Sequence, residues 1–498
     1  MKRILLSFAT LVTIGMVGCK KDLLDINNDP NRATYSTPQL TMPIALENAA
    51  RIANTSYFSL AFWTGYWATS NGFSKPVETY TYNITSSYMQ GVWDNLYNNL
   101  ADFNYIEKQA IAQNLPVYEG VAKVMKAYDF HQAVDLWGNV PYSEALQGAA
   151  NLSPKYDAGE TIYDDLIKKI DSAIAIFKKP ATATTINVPL DKAKILLFGS
   201  KLNVSDPDGS SVAFLKMWVK FANTLKLKLL VQQSQLNKDA YIKSELQGLT
   251  SDDFLSLGED ALVNPGYTTA TAKLNPYYGA FYKSYNSAGD NFNSTRASDY
   301  AVTQYKNLND PRIAYFYTLD PGANGVYLGS VFGDPTGTAY AARVGSPSLQ
   351  ATGPSIIMTA AESLFLQAEA AQRGYITGDA KQLYENAVTA SFNFTGTSGA
   401  AVYLAQNNPD VNWNLATNKI QLIITQKWFA LNGIDILAVY NDYRRTGFPN
   451  VPLSTDANSK GKVPVRLFYP QRESLLNTAN VEAQGNVDVF STTVFWDK

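Results

Sequence analysis

The sequence has almost no cysteine or histidine, the residues that build disulfides and many metal centres and active sites. Its 498 residues include one Cys and one His, which excludes an internal disulfide, a Cys/His zinc site and a multi-histidine iron or copper centre. A Ser-His-Asp triad would have to use His131, and no G-x-S-x-G nucleophile elbow occurs. His131 lies beside an apolar helical stripe, which favours a structural histidine over a catalytic base. We therefore predict a protein without catalytic residues, metal or cofactor.

Charge is also scarce, and neither sign is in excess. Lys and Arg number 41 against 43 Asp and Glu, and charged residues make up 17% of the chain. A protein that follows a phosphate backbone needs a positive field, so we expect no nucleic-acid partner. Aromatic residues, in contrast, are abundant, with 31 Tyr, 23 Phe and 8 Trp. A hydrophobic fraction of 46% is sufficient for a large folded core.

The N-terminus carries a targeting pattern. Lys2 and Arg3 precede an apolar run over residues 4–17, and Gly18 and Cys19 follow it. This pattern predicts a secretory signal peptide over residues 1–18, since a membrane span needs about 20 apolar residues. The M-V-G-C segment that ends at Cys19 resembles the bacterial lipoprotein box, which implies a lipid-anchored tether over residues 19–36. The alternative is a freely secreted protein without lipid.

Beyond the tether, the dominant sequence period is helical. Four segments repeat apolar residues every three or four positions: 121–136, 163–177, 214–229 and 360–371. Each segment predicts an amphipathic helix whose apolar face needs a partner. In the second segment, Thr161 and Asp164 have the spacing of a capping box.

The segment 359–392 predicts a pair of packed helices. Ala371 and Ala387 place small residues on two helical stretches, and Gly374 and Gly378 lie between them. Small residues at a helix crossing, with an aromatic between them, are typical of a tetratricopeptide hairpin. No exact 34-residue period repeats through the chain, which indicates divergent helix pairs.

The overall prediction is a mostly α protein with two parts. A tetratricopeptide-like helical-pair scaffold is expected over about residues 37–250 and 355–445. The remaining stretches, about 250–355 and 446–498, are rich in Gly, Pro, Asn and Asp and predict an irregular, loop-rich ligand-binding half. We expect residues 37–498 to form a single domain.

Several segments together resemble the SusD/RagB family of Bacteroidetes outer-membrane nutrient-binding lipoproteins, in its SusD-like branch. They occur in family order along almost the whole chain after Cys19. The matching segments are Leu24–Asn27, Pro30–Asn31, Tyr128–Tyr142, Asn309–Arg312, Glu362–Gly374, Tyr443–Pro449 and Pro464–Pro470. The resemblance implies a non-catalytic, lipid-anchored protein on the outer membrane that binds a nutrient, most often a glycan. It also implies a lid-like role over a SusC-like TonB-dependent transporter.

Aromatic residues near turns are the candidate ligand contacts. Sugar rings stack their C–H faces on Trp and Tyr, while Asn and hydroxyl side chains bind the sugar hydroxyls. The candidates are Trp63, Trp67, Asn71, Tyr80, Tyr82, Asn275, Tyr277, Tyr278 and Tyr282. We expect Trp67, Tyr80, Tyr277 and Tyr278 to present exposed rings, although each candidate has core packing as its alternative.

The sequence is also compatible with two other functions. A glycoside hydrolase or lyase on a helical scaffold would need two carboxylates about 5–10 Å apart, and 43 acidic residues would supply such a pair. A tetratricopeptide-like lipoprotein that binds peptides is the second alternative.

Overall fold

A computed structural model describes residues 36–179, 196–198, 207–345 and 350–497. The predicted signal peptide, Cys19 and the tether through residue 35 lie outside the described residues. The chain from Pro38 onward, Pro38–Lys498, clusters as one unit.

The first half of the chain folds into helices that cover one another's apolar faces. Helix α4 packs on α5, α5 on α6 and α6 on α7, while α1 packs on α4. The short connection between α4 and α5 is that of antiparallel neighbours. The helices of this half are α1 (Pro38–Thr55), α2 (Phe58–Trp63), α3 (Val77–Thr81), α4 (Gln90–Ala112), α5 (Pro116–Trp137), α6 (Gly159–Phe177), α7 (Pro207–Gln232) and α8 (Asp239–Glu245).

Helix α5 is the central helix of this half. From Val121 to Trp137 every residue except Lys123 is buried, because helices pack on several sides of it. The predicted capping box of α6 is wrong. That helix begins at Gly159, and Ala158 in the capping position makes no side-chain hydrogen bond, so Thr161 already lies inside the helix.

Short strands join distant parts of the chain. Four strands form one sheet in the order β1, β7, β9, β8, and all its neighbouring strands are antiparallel. Three two-stranded pairs are β10 with β4, β2 with β3 and β5 with β6. The strands are β1 (Trp67–Thr69), β2 (Val140–Pro141), β3 (Tyr156–Asp157), β4 (Ala261–Val263), β5 (Tyr282–Ser284), β6 (Ser287–Ala288), β7 (Thr295–Ala297), β8 (Tyr317–Thr318), β9 (Arg343–Val344) and β10 (Ser355–Met358).

The region between β4 and β10 is irregular, as its turn-rich composition predicts. Its helices are short and alternate with the short strands above. They are α9 (Pro276–Phe281), α10 (Asp290–Ser294), α11 (Asp299–Asn307) and α12 (Ile313–Phe316).

The C-terminal part returns to long helices and then to extended chain. Helices α13 and α14 pack tightly on each other, and α16 packs on α13. The helices are α13 (Ala360–Gln372), α14 (Ala380–Phe394), α15 (Ala400–Leu404), α16 (Lys419–Ala430), α17 (Ile436–Thr446), α18 (Gln471–Leu476) and α19 (Thr478–Glu482).

The predicted helix pair at 359–392 is present as α13 and α14. Gly374 follows α13 with φ +70°, a conformation that favours glycine, so the chain can turn back toward α14. Ala387 is fully buried at the contact, and the rings of Phe365 and Tyr384 lie 6.3 Å apart between the helices. The mostly α, tetratricopeptide-like fold is therefore confirmed.

Buried charges connect the C-terminal helices. Arg445 on α17 donates to both carboxylate oxygens of Glu369 on α13, at 2.6 and 2.8 Å. Both side chains are almost fully buried, and the arginine holds the pKa of Glu369 down to about 2. A paired and hydrogen-bonded ion pair is the form in which charges are tolerated in a core. Among the described helices, none is long and apolar enough to cross a membrane.

Candidate functional site

Strand β1 brings together the two segments that carry the candidate ligand contacts, residues 63–82 and 275–282. It pairs with β7, with Trp67 opposite Ala297 and Thr69 opposite Thr295. The turn into β1 depends on Gly65, whose φ is +79°, and a Cβ there would lie 2.7 Å from Val451 Cγ1. A side chain at this position would therefore clash, whereas glycine lets the chain leave α2 and enter the sheet.

A cavity of about 310 Å³ lies where these segments meet. We call it the ring cavity, because four aromatic side chains from α2, β1 and α9 line it: Phe58, Phe62, Trp67 and Phe281. The remaining lining residues are mostly small and polar: Ser59, Thr69, Ser74, Lys75, Pro76, Thr79, Asn291, Ser294 and Thr295. This combination of aromatic side chains and hydroxyl or amide groups suits a carbohydrate ring.

Edge-to-face packing fixes the rings of the cavity wall. The Phe58 ring centroid lies 5.2 Å from Trp67 and 5.4 Å from Phe281, and Phe62 lies 6.2 Å from Trp67. These distances fall in the range at which aromatic pairs attract each other. Phe58 and Phe62 are only half-buried, whereas Trp67 and Phe281 are buried. The two phenylalanines on α2 therefore present the accessible aromatic surface of the cavity.

In the first group of candidates, the expectation of exposed rings is wrong for Trp67 and Tyr80. Trp63, Trp67, Tyr80 and Tyr82 are each about 1% exposed. Trp63 Nε1 donates to a backbone carbonyl, and the hydroxyls of Tyr80 and Tyr82 accept backbone N–H groups. Their polar atoms are thus used inside the protein, and burial raises the pKa of Tyr82 to about 12. Of these four residues, Trp67 alone lines the ring cavity.

In the second group, exposed rings were expected of Tyr277 and Tyr278, and the expectation is wrong for Tyr278, which is buried. Asn275 is buried and caps α9, since its Oδ1 accepts N–H groups from Tyr277 and Tyr278 at 2.8 and 3.2 Å. Tyr278 is 5% exposed and stacks on Tyr282 with 4.4 Å between centroids. Tyr277 and Tyr282 are half-buried and pack against the core.

Asn71 is exposed beside the sheet and does not line the ring cavity. Both predicted segments therefore reach the ring cavity, through Trp67 and Phe281, but of the nine candidates only Trp67 is among the described residues that line it. A role in ligand contact stays a prediction for all nine candidates.

Sequence reasoning missed most of the residues that line the cavity. Phe58 and Phe62 are four positions apart, so a helix places them on one face, and this spacing was a usable signal. Phe281 and Lys75 offered no such signal, because their approach depends on the pairing of β1 with β7.

Two further cavities have different chemistry. A larger one, of about 820 Å³, lies among α4, α5 and α6. Its charged lining is partly paired internally, with Lys126 2.9 Å from Glu107 and Lys169 3.9 Å from Asp165. A smaller one, of about 280 Å³, lies behind Phe332 and Tyr300 and is mainly apolar. The ring cavity has four aromatic side chains in its lining, whereas each of these two cavities has two.

The small ring-walled cavity thus lies where the first helices of a mostly helical scaffold meet the loop-rich part of the chain. A family model described as "Starch-binding associating with outer membrane" matches residues 28–470, and the chain belongs to this SusD-like family. The family predicted from the sequence motifs is therefore confirmed.

Solved structures show the same fold along nearly the whole chain. A SusD homologue from Bacteroides uniformis is 25% identical with a TM-score of 0.74, and the match covers 92% of this chain and 99% of that chain. A SusD-like protein from Bacteroides thetaiotaomicron is 24% identical with a TM-score of 0.73, covering 92% and 98%. A chitin-binding SusD homologue from Flavobacterium johnsoniae is 23% identical with a TM-score of 0.72, covering 92% and 98%. No curated protein matches the chain.

Proposed function

We propose that this protein binds an oligosaccharide at the bacterial cell surface and delivers it to a SusC-like TonB-dependent outer-membrane transporter. Cys19 would carry the lipid that holds the protein on the outer membrane. The family description and the chitin-binding relative support carbohydrate as the ligand class. The single-domain arrangement over residues 37–498 is part of the same proposal.

The ring cavity is the observation that carries the proposal. Phe58 and Phe62 offer half-buried ring surface, and Ser59, Ser74 and Asn291 lie beside them. Apolar C–H faces of a sugar can stack on the rings, while the polar side chains exchange hydrogen bonds with its hydroxyls. The scaffold holds the rings in place before the ligand arrives, which lowers the entropic cost of binding.

The cavity supports binding rather than hydrolysis. Among the described residues, none that lines it is Asp or Glu. Glycoside hydrolysis needs a pair of carboxyl groups about 5–10 Å apart on either side of the scissile bond. A sugar held in the ring cavity would meet no such pair, so we propose a non-catalytic protein.

Replacing Phe62 with leucine tests this proposal. Phe62→Leu keeps much of the apolar volume but removes the ring, so saccharide binding should weaken by about 0.5–1.5 kcal/mol, the value of an aromatic contact. Isothermal titration with a panel of neutral oligosaccharides measures the change, and chromatography of the same mixtures should show no new product.

The matched control is Phe73→Leu. Phe73 is 39% exposed and does not line the cavity, so this variant should bind like the wild type. Unchanged affinity in folded Phe62→Leu would contradict the site. Steady product release by the wild type would contradict the non-catalytic function.

A further inference from the structure

The ring cavity has one charged lining residue, and it is a cation. Lys75 is that residue, and the other lining side chains are uncharged. Its Nζ donates to the carbonyl oxygen of Ser70 at 3.1 Å. An ammonium group has three N–H donors, so this single bond leaves further donors for a ligand.

Lys75 is half-buried and forms no ion pair with a carboxylate of the described residues, unlike the buried lysines of the core. Lys220, Lys226 and Lys228 each lie within 2.9 Å of a carboxylate oxygen. Of the described acidic groups, Asp334 acts on Lys75 through its charge but forms no ion pair with it. Burial outweighs this attraction and lowers the pKa of Lys75. Lys75 thus presents an ammonium group to the cavity with no carboxylate of the described residues paired to it, and an anionic ligand group could take that place.

A second unsatisfied donor lies in the same wall. Trp67 is 1% exposed, and its Nε1 has no hydrogen-bond partner among the described residues. Indole Nε1–H can only donate, and a buried donor without a partner costs free energy. Because this nitrogen is itself buried, it does not add to the donors that the cavity offers a ligand, and Lys75 remains the donor that carries the preference.

The size of the cavity limits how much ligand enters it. Ligand sites span about 300–1,000 Å³, and the ring cavity, at about 310 Å³, lies at the lower end. This volume suits one sugar ring and excludes an extended chain, so an oligosaccharide would insert a terminal or branch residue.

We propose that the ring cavity selects a terminal sugar residue that carries an anionic group, a carboxylate or a sulfate, with the Lys75 ammonium as its partner. The inference rests on the proposed carbohydrate-binding function and narrows its substrate class. The rings of Phe58 and Phe62 contact the apolar face of the sugar, while Lys75 binds the anionic substituent at the other side. A charge-assisted hydrogen bond of this kind is stronger than one between neutral groups.

Matched disaccharides test the preference. There are three sets of disaccharides, whose terminal ring has gluco, galacto or manno configuration. Within a set, the members differ only at C6 of the terminal ring, which bears a hydroxymethyl, carboxylate or sulfated group. In titrations with the full-length protein, at least one anionic member of one set should bind about tenfold tighter than its neutral match, as for one hydrogen bond to a charged group. The preferred anion identifies whether the source is a uronate or a sulfate. The preference should shrink at high salt.

Variants at Lys75 assign the preference to this side chain. Lys75→Met should abolish the preference, so that the neutral and anionic members of each set bind equally, and Lys75→Arg should retain most of it. The control is Lys381→Met, at an exposed site on α14, which should bind like the wild type. Equal binding of neutral and anionic sugars by the wild type, or a preference that survives in Lys75→Met, would overturn the inference. If the wild type binds neutral sugars, Phe62→Leu weakens this binding and no anionic preference is seen, the inference fails but the proposed function stands. If no saccharide binds at all, both the inference and the proposed function are contradicted.

Discussion

Asp129 and His131 lie two residues apart on α5, and both are buried in the helical core. Burial raises the pKa of Asp129 to about 8, although a hydrogen bond from Asn99 opposes the shift. Burial also lowers the pKa of His131 to about 4. The negative charges of Asp135 and Asp435 oppose this shift, whereas the positive charge of Lys228 adds to it. At neutral pH both groups are therefore mainly uncharged in the folded protein, which avoids two isolated charges in the core.

The two shifts act in opposite directions on stability. Asp129 has an unfolded pKa of about 3.9, so the folded state holds the extra proton between pH 4 and pH 8, and stability falls as pH rises through that window. His131 has an unfolded pKa of about 6.5, so between pH 4 and pH 6.5 the unfolded state holds the extra proton. Stability is therefore unaffected by this group above pH 6.5 and falls as pH falls toward 4. The two effects offset each other below pH 6.5. Above it the Asp129 effect remains, at about 1.4 kcal/mol per pH unit.

Asp129→Asn should remove this decline above pH 6.5. The amide cannot ionise, and its oxygen can still accept the hydrogen bond from Asn99. Between pH 6.5 and pH 8, the free energy of unfolding should fall by about 2 kcal/mol more in the wild type than in the variant. Urea denaturation at both pH values measures the difference. Asp290→Asn, at an exposed site, should keep the wild-type slope, and the same slope in Asp129→Asn would show that Asp129 is ionised in the fold.

Single residues also mark the limit of prediction from sequence. The turn-rich neighbourhoods of Trp67 and Tyr278 indicated proximity to a site, and the structure places their segments beside the ring cavity. Their exposure could not be predicted, because Tyr278 is covered by stacking on Tyr282 and Trp67 by the rings of Phe58 and Phe62. Burial of an aromatic ring depends on which other rings fold against it, and local composition does not contain that information.

At the scale of elements, the helical hairpin of α13 and α14 was predictable because its signal is local. Small residues, the glycines of the turn and the apolar period all lie within 34 positions, 359–392. The pairing of β1 with β7 had no such signal, since Trp67 and Ala297 are far apart in the chain and each strand has three residues. The helical scaffold could thus be predicted, whereas the join that creates the ring cavity could not.

Ala387→Leu should destabilise the hairpin. Ala387 is fully buried where α14 meets α13, and a leucine there would overpack the contact at a cost of about 1–3 kcal/mol. Thermal unfolding followed by circular dichroism measures the loss as a lower melting temperature. Ala101→Leu is the matched control, because Ala101 is exposed on α4 and its substitution should change stability by less than about 0.5 kcal/mol. Equal melting temperatures for both variants and the wild type would contradict the tight packing at Ala387.

At the scale of the whole molecule, the proposed function needs attachment as well as binding. The chain from Pro38 onward clusters as one unit, and none of its described helices can cross a membrane. Membership of a family associated with the outer membrane leaves open how the protein is held there. Cys19, which lies outside the described residues, is the proposed means, because two or three acyl chains on one residue bind a bilayer firmly.

Cys19→Ser should release the protein from the membrane fraction. A serine hydroxyl does not replace the thiol in the lipidation reaction, so the variant would keep the fold of residues 38–498 and lose its acyl chains. Fractionation of cells followed by immunoblotting measures the shift, and an unchanged circular dichroism spectrum shows that folding is intact. A high-salt wash of the membranes distinguishes lipid attachment from a salt-sensitive association with a transporter. Wild-type protein should stay in the membrane fraction after this wash. If Cys19→Ser also stays there, the result would contradict the lipid anchor.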